Sequence, residues 1–309
     1  MANARSGSIH LFRLAGVDVF LHWSWFLVAA YEIESWQGRY SSLAWSALEY
    51  LALFLIVLTH EFGHSLACRQ VGGTANRIVL WPLGGVAFVR PPQRPGATLW
   101  SIAAGPLVNV ALLPIFYAAL LMSRSMGWAE TMPDAYHLVR AILWINLSLL
   151  VFNMLPIYPL DGGQILRSLL WFVLGRARSL MAAAVVGFLG AAGFILLAAR
   201  FGSAWLGIIS VFLAMNCWSG FKQARSLSRL AKLPRREGYS CPTCKSHPPI
   251  GEYWKCGNCG QACDTFATGA VCPSCSTRFP VTTCLDCARQ HSLAAWMGQT
   301  ILVPDPVFQ

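Results

Sequence analysis

Residues 51–64 read LALFLIVLTHEFGH. Eight apolar residues, Leu51 to Leu58, run without interruption, and two imidazoles and a carboxylate follow within a single turn. A helix crosses a bilayer with roughly 20 apolar residues, and the segment from Ser42 to about Cys68 has that length. Ionisable groups inside such a span are strongly disfavoured by hydrocarbon and mark functional positions. One stretch therefore predicts both a membrane helix and the site it carries.

The rest of the chain fits a membrane setting. Of 309 residues 56% are hydrophobic and 12% charged, about half the charged fraction of a soluble domain, so a wholly soluble protein is excluded. Ala97–Met122, Ala141–Leu160, Ser179–Ala199 and Phe201–Phe221 are free of charge and long enough to span. Val17 to about Trp36 is added because its acids, Glu32 and Glu34, sit at one end. The expectation is six transmembrane helices.

Charge orients them. Arg5 and Arg13 precede the first span, Arg69, Arg77, Arg90 and Arg94 follow the second, and Arg167, Arg176 and Arg178 follow the fourth. A basic cluster from Lys222 to Arg236 follows the sixth, while the alternate loops are close to neutral. The positive-inside rule then puts both termini in the cytoplasm. The formal charge of +10 is shared evenly between the part up to Phe221 and the part beyond it, so it sets topology and does not make a nucleic-acid face. The first sixteen residues have no long apolar core, and no cleaved secretory signal is expected.

Two connections are unusual. Residues 71–92, VGGTANRIVLWPLGGVAFVRPP, place glycine pairs around β-branched alternation and predict a small hairpin or sheet at the membrane face. Residues 153–163, NMLPIYPLDGG, break a helix just before an acid; irregular backbone at that depth is tolerated only when buried in protein or lining a cavity.

His60, Glu61 and His64 form an HExxH pattern. Residues four apart on a helix are separated by about 40°, so both imidazoles can grip one cation while Glu61 projects beside it. Catalytic zinc takes three protein ligands and a water. Asp161 is the best third ligand, being the acid of the broken segment, with an N-cap for the helix that follows as its competing role. Glu61 would take a proton from the metal-activated water and return it to a leaving amine.

These residues resemble a known family. His60–His64 within a span, the Trp81–Gly85 segment WPLGG, Ala104–Asn109 (AGPLVN) and Asn153–Gly163 are similar to motifs, in order, of the site-2 protease family of intramembrane zinc metalloproteases. The resemblance runs from about His22 to Gly175. It implies peptide hydrolysis in or near the membrane, with His60, His64 and Asp161 on one catalytic Zn2+ and Glu61 as base. It also implies that Leu83, Gly84, Gly85 and Val86 form an edge strand that pairs with an unwound substrate, a re-entrant packing loop being the alternative. Asn109 and Asn153 are amides in apolar spans, suited either to substrate backbone and oxyanion or to helix-to-helix hydrogen bonds.

From Cys241 the composition changes. Cys241, Cys244, Cys256 and Cys259, then Cys272, Cys275, Cys284 and Cys287, form four Cys-x2-Cys pairs. They read as two tandem four-thiolate sites, each for a structural Zn2+, in a double zinc ribbon, with interleaved pairing as the alternative. Cys263 is left over as a buried small hydrophobe.

The expected organisation is an α-helical polytopic membrane protein with a small membrane-associated β hairpin or sheet, plus a zinc-ribbon domain. Residues 1–221 form the transmembrane metalloprotease domain, 222–240 a basic juxtamembrane linker, 241–292 the cytoplasmic double ribbon and 293–309 an apolar tail able to dock on the membrane part. Expected partners are a single-pass membrane protein substrate, membrane lipid and a protein recruited by the ribbon. Nucleic acid is not expected, because only four basic residues lie beyond Cys241. The compact plan suggests the plasma membrane of a prokaryote. A membrane zinc transporter or zinc sensor is the rival class, but it has little need for a glutamate beside the first ligand.

Overall fold

The computed structural model describes residues 7–27, 29, 39–81, 84–287 and 289–298. The chain divides into two compact units, Met1–Phe221 and Lys222–Gln309. In the first, strands β1 (Ser8–Leu14) and β2 (Val17–His22) precede helix α1 (Leu43–Gln70). Strands β3 (Thr74–Trp81) and β4 (Gly84–Arg90) follow, then helices α2 (Pro95–Ser125), α3 (Pro133–Asn153), α4 (Asp161–Phe201) and α5 (Ala204–Ala231). A one-turn helix, Trp128–Thr131, joins α2 to α3.

These five helices, α1 to α5, are long and apolar enough to cross a membrane. The expected first span is corrected at its start, where Val17–His22 is a strand; residues 28 and 30–38 of that span lie outside the described residues. The segment VDVFLH alternates with period two, but the aromatic run behind it reads as continuous hydropathy. The span expected over Ala141–Leu160 is also shorter, because α3 ends at Asn153 and the two prolines keep residues 154–160 out of the helix. The arginine-bearing connection after it is helical from Asp161, with a break at Gly175, whose φ of 77° suits glycine.

The expected hairpin is one half of a larger sheet, in the order β1-β2-β3-β4. β2 and β3 are parallel and the other two pairs antiparallel, and the parallel pair needs a crossover, which α1 supplies. Val17, Val19, Ile78 and Leu80 from the sheet pack with Val57 and Leu58 of α1 in one buried cluster. Val57 and Leu58 lie within one helical turn before His60, so the sheet rests on α1 beside the turn that presents the HExxH residues. β4 is the last strand, an edge.

The second unit begins within the last turns of α5. Two short hairpins, β5 (Trp254–Lys255) with β6 (Ala262–Cys263) and β7 (Thr282–Thr283) with β8 (Gln290–His291), precede a final turn, α6 (Leu293–Trp296). Trp254, Cys263, Phe266 and Trp296 form its core together with Cys241, Cys284 and Cys287. Cys263 is thus the small buried hydrophobe expected of it. Trp296 is among the largest fully buried side chains, so the start of the apolar tail is ribbon core; residues 299–309 lie outside the described residues. Arg235 pairs through both terminal nitrogens with Asp286 (2.7 and 3.2 Å) and donates to the Leu230 carbonyl near the end of α5. Arg236 pairs with Asp264 at 2.6 Å. Both arginines therefore tie the start of this unit to its cysteine-bearing loops.

Candidate active site

His60 and His64 lie on α1 and Asp161 is the first residue of α4. Leu160, not Asp161, is the N-cap residue of α4, so the competing role of Asp161 is not the one adopted. Its carboxylate turns onto the imidazoles: Oδ2 lies 3.0 Å from His60 Nε2 and 3.4 Å from His64 Nε2, and the two Nε2 atoms are 3.1 Å apart. Ligand atoms about 2.0–2.1 Å from a tetrahedral zinc are separated by about 3.3 Å, so this triangle fits such an ion. All three residues are buried.

The far side of each ring is held as a metal site requires. His64 Nδ1 donates to the Ser101 carbonyl at 2.9 Å, and His60 Nδ1 donates to Asn109 Oδ1. Both partners are on α2, and both bonds leave Nε2 as the lone pair facing Asp161.

Three glycines make this convergence possible. A Cβ on Gly105 of α2 would lie 2.3 Å from His64 Nε2 and 2.8 Å from His60 Nε2. At Gly162 a Cβ would lie 2.3 Å from the Met154 carbonyl oxygen, and at Gly163 2.4 Å from the Ile157 carbonyl carbon. The missing side chains let the start of α4 nest in the broken segment, which delivers Asp161 to α1.

Glu61 is buried, and one of its carboxylate oxygens lies within 4.8 Å of ligand nitrogens of His60 and His64. Its Oε2 accepts the Ala87 amide of β4 at 2.8 Å. The edge strand therefore touches the carboxylate, and alternate residues address the same edge of a strand, which places Gly85 on the edge shared with Ala87. Gly84 and Val86 are also in β4, pairing with Trp81 and Val79; Leu83 lies outside the described residues. Asn109 is fully buried, with its amide turned to His60 and to Asn146 of α3. Asn153 is half-buried at the end of α3. Sequence reading missed the Ala87 amide, the Ser101 carbonyl and Asn146. Gly105 was inside a quoted motif, with a glycine beside a proline in a span as its only signal.

The eight cysteines come together in nested fashion. Cys241, Cys244, Cys284 and Cys287 form one group, and Cys256, Cys259, Cys272 and Cys275 the other. This corrects the tandem order: the outermost pairs join each other, as do the innermost. Sγ separations of 3.7 Å in the first group and 3.6 Å in the second match the edge of about 3.8 Å expected for zinc–thiolate tetrahedra. Three of the four knuckles repeat one local arrangement. The first cysteine's carbonyl accepts the amide four residues on, at Lys245, Gly260 and Ser276, each with positive φ. Hydrogen bonds from the Thr277 hydroxyl and amide hold the Cys275 thiol down, to about 6, favouring the thiolate a metal needs.

Fold and site together define a class: a polytopic helical membrane protein with a buried His-Glu-His plus Asp cluster and a cysteine-rich terminal unit. The profile of peptidase family M50 matches residues 49–136 and 127–197. A zinc metalloprotease of Methanocaldococcus jannaschii is 30% identical over 216 residues, covering 70% of this chain and 60% of that protein. The stage IV sporulation protein FB of Bacillus subtilis is 36% identical over 121 residues, 38% of each chain. The solved site-2 protease from Methanocaldococcus jannaschii superposes with a TM-score of 0.50 at 26% identity, covering 69% of this chain and 95% of that one. The chain belongs to peptidase family M50, the site-2 proteases, and is an integral membrane protein. It spans 60% of the length of the archaeal metalloprotease it matches.

Proposed function

We propose that this protein is an intramembrane zinc endopeptidase, which cuts a peptide bond in or near a transmembrane segment of a membrane-anchored protein. The observation that carries this reading is the division of labour at the site. Three donor atoms converge as ligands, while a fourth group, Glu61, is held beside them by the Ala87 amide. A transporter has little need of a carboxylate fixed by a strand amide beside its first ligand; a hydrolase requires one as its base.

Bound zinc would acidify a water and polarise the scissile carbonyl. Glu61 then accepts the proton of the attacking water and delivers it to the leaving amine. The Ala87 amide orients one carboxylate oxygen and leaves the other for the proton. The free edge of β4, at Gly84 to Val86, is the proposed dock for an unwound substrate strand, since main-chain pairing holds an extended peptide at a sheet edge. Leu83, the preceding residue in the sequence, is proposed for the same role from its motif alone. Asn153 is the remaining amide proposed for substrate backbone or oxyanion, because Asn109 is committed to His60.

The two cysteine groups are proposed to hold one structural zinc each, giving three ions per chain. The ribbon is proposed to recruit substrate or a protein partner on the cytoplasmic side of a prokaryotic plasma membrane, with both termini cytoplasmic. The test is quantitative mass spectrometry of membrane and soluble fractions from cells making the natural protein or Glu61→Gln. Single-pass stubs that accumulate in the mutant, with loss of their soluble fragments, support the proposal and name the substrate. Matching proteomes with altered cellular zinc would favour transport.

A further inference from the structure

Asn146 lies on α3, away from every motif of the sequence, and is fully buried. A polar amide fully buried inside a membrane helix bundle marks a functional position, and its partners show which. Its two ends have different partners. Nδ2 donates to the backbone carbonyl of Asn109 at 3.0 Å, and Oδ1 accepts Asn109 Nδ2 at 2.7 Å. Asn109 Oδ1 in turn accepts His60 Nδ1–H.

The oxygen and nitrogen of a carboxamide are told apart by the partners they meet. Within this chain of bonds a single group is unambiguous at the outset: a backbone carbonyl can only accept. The Asn109 carbonyl therefore forces Asn146 to present Nδ2 to it. That leaves Asn146 Oδ1 facing the Asn109 side chain, which must answer with its own Nδ2. Asn109 Oδ1 is then fixed toward His60, and His60 must carry its proton on Nδ1 and its lone pair on Nε2. If Asn146 were flipped, two acceptors would face each other in a buried site, which is strongly unfavourable. His64 needs no such chain, because the Ser101 carbonyl meets its ring directly.

We propose that Asn146 is a positioning residue for the metal centre: it sets the polarity of the Asn109 amide, and through it the metal-binding tautomer and orientation of His60. Three helices take part, α3 with Asn146, α2 with Asn109 and α1 with His60. The inference rests on the reading of His60 as a metal ligand and adds a residue that reading does not contain. It distinguishes a polarity role from simple packing, because packing depends on the shape of residue 146 and polarity depends on what residue 109 offers to His60.

The experiment uses the full chain in detergent, stripped of metal and titrated with cobalt(II) against a competing chelator. The spectrum separates a nitrogen/oxygen site from the cysteine sites, which show thiolate-to-metal charge transfer. Asn146→Leu keeps the volume and removes the polarity; its nitrogen/oxygen site should bind cobalt 10- to 100-fold more weakly, the range for lost outer hydrogen bonds of metal-ligating histidines. Asn109→Asp is then added. An aspartate offers an acceptor to His60 at either oxygen and needs no partner to orient it, so the double variant should recover to within about fivefold of the natural protein. An Asn146→Leu affinity within threefold of natural overturns the proposal. So does a double variant as weak as Asn146→Leu alone, which would mean that residue 146 acts through shape or folding. A natural protein with no nitrogen/oxygen cobalt spectrum would instead overturn the metal centre itself.

Discussion

Gly105→Ala is the smallest change that tests whether the imidazoles are held in one position. A Cβ there would lie 2.3 Å from His64 Nε2, 2.4 Å from His64 Cε1 and 2.8 Å from His60 Nε2. Ordinary carbon contacts begin near 3.4 Å, so the His64 ring would have to retreat by about 1 Å. Neither partner can move freely, since His64 Nδ1 is fixed to the Ser101 carbonyl and His60 Nδ1 to Asn109. Disturbing how metal-ligating histidines are held costs up to about 100-fold in metal affinity, equivalent to ~2.7 kcal/mol. Overpacking of a core by one methyl destabilises folding by about 1–3 kcal/mol, which a bundle of this size tolerates. The assay is zinc competition against a chelator on the purified full chain, with thermal unfolding in parallel. Gly193→Ala on α4 is the control, because nothing lies within 4 Å of a Cβ there. Gly105→Ala should weaken the histidine–aspartate site about 100-fold while Gly193→Ala leaves it unchanged. Affinity within threefold of natural for Gly105→Ala would refute the claim that this glycine is required by the approach of α2 to the ligands.

Other outcomes follow from the same geometry. Asp161→Ala should remove one of three zinc equivalents and all cleavage, leaving the cysteine-bound pair, as read by metal analysis after gel filtration. Cysteine alkylation during gradual chelation, mapped by mass spectrometry, should open Cys241, Cys244, Cys284 and Cys287 as one block and the inner four as another; co-release of Cys241 with Cys256 would restore the tandem arrangement. Arg235→Ala removes a two-pronged ion pair whose side chains are each 26% exposed, worth about 1–2 kcal/mol. It should speed hydrogen exchange in residues 232–250 without changing cleavage of a membrane substrate.

The parts of this protein that could be read from its sequence are those whose chemistry is local. HExxH needs only a helical repeat, and its place in an apolar run settles the membrane setting. Asp161 stood out because prolines and glycines around an acid interrupt a span. The nested cysteines were not legible, since four Cys-x2-Cys pairs have the same local pattern and topology alone decides which join. Strand β2 was hidden by the aromatic run after His22, which made Val17–His22 look like the start of a span. The donor to Glu61 is a backbone amide, which every residue but proline carries, so Ala87 has no signature. Asn146 sits seven residues before a quoted motif, and only the packing of α3 on α2 shows what it meets.

The central claim is that Glu61 performs proton transfer at a metal site to which it is not itself a ligand. The direct measurement pairs zinc content with cleavage of a membrane-embedded test substrate, for the purified natural protein and for Glu61→Gln. Glutamine retains the shape and can still accept the Ala87 amide, so full zinc content is predicted, with cleavage reduced by at least about 100-fold, the low end for loss of a general base. A Glu61→Gln protein that has lost its zinc, or that cleaves at the natural rate, would contradict the account.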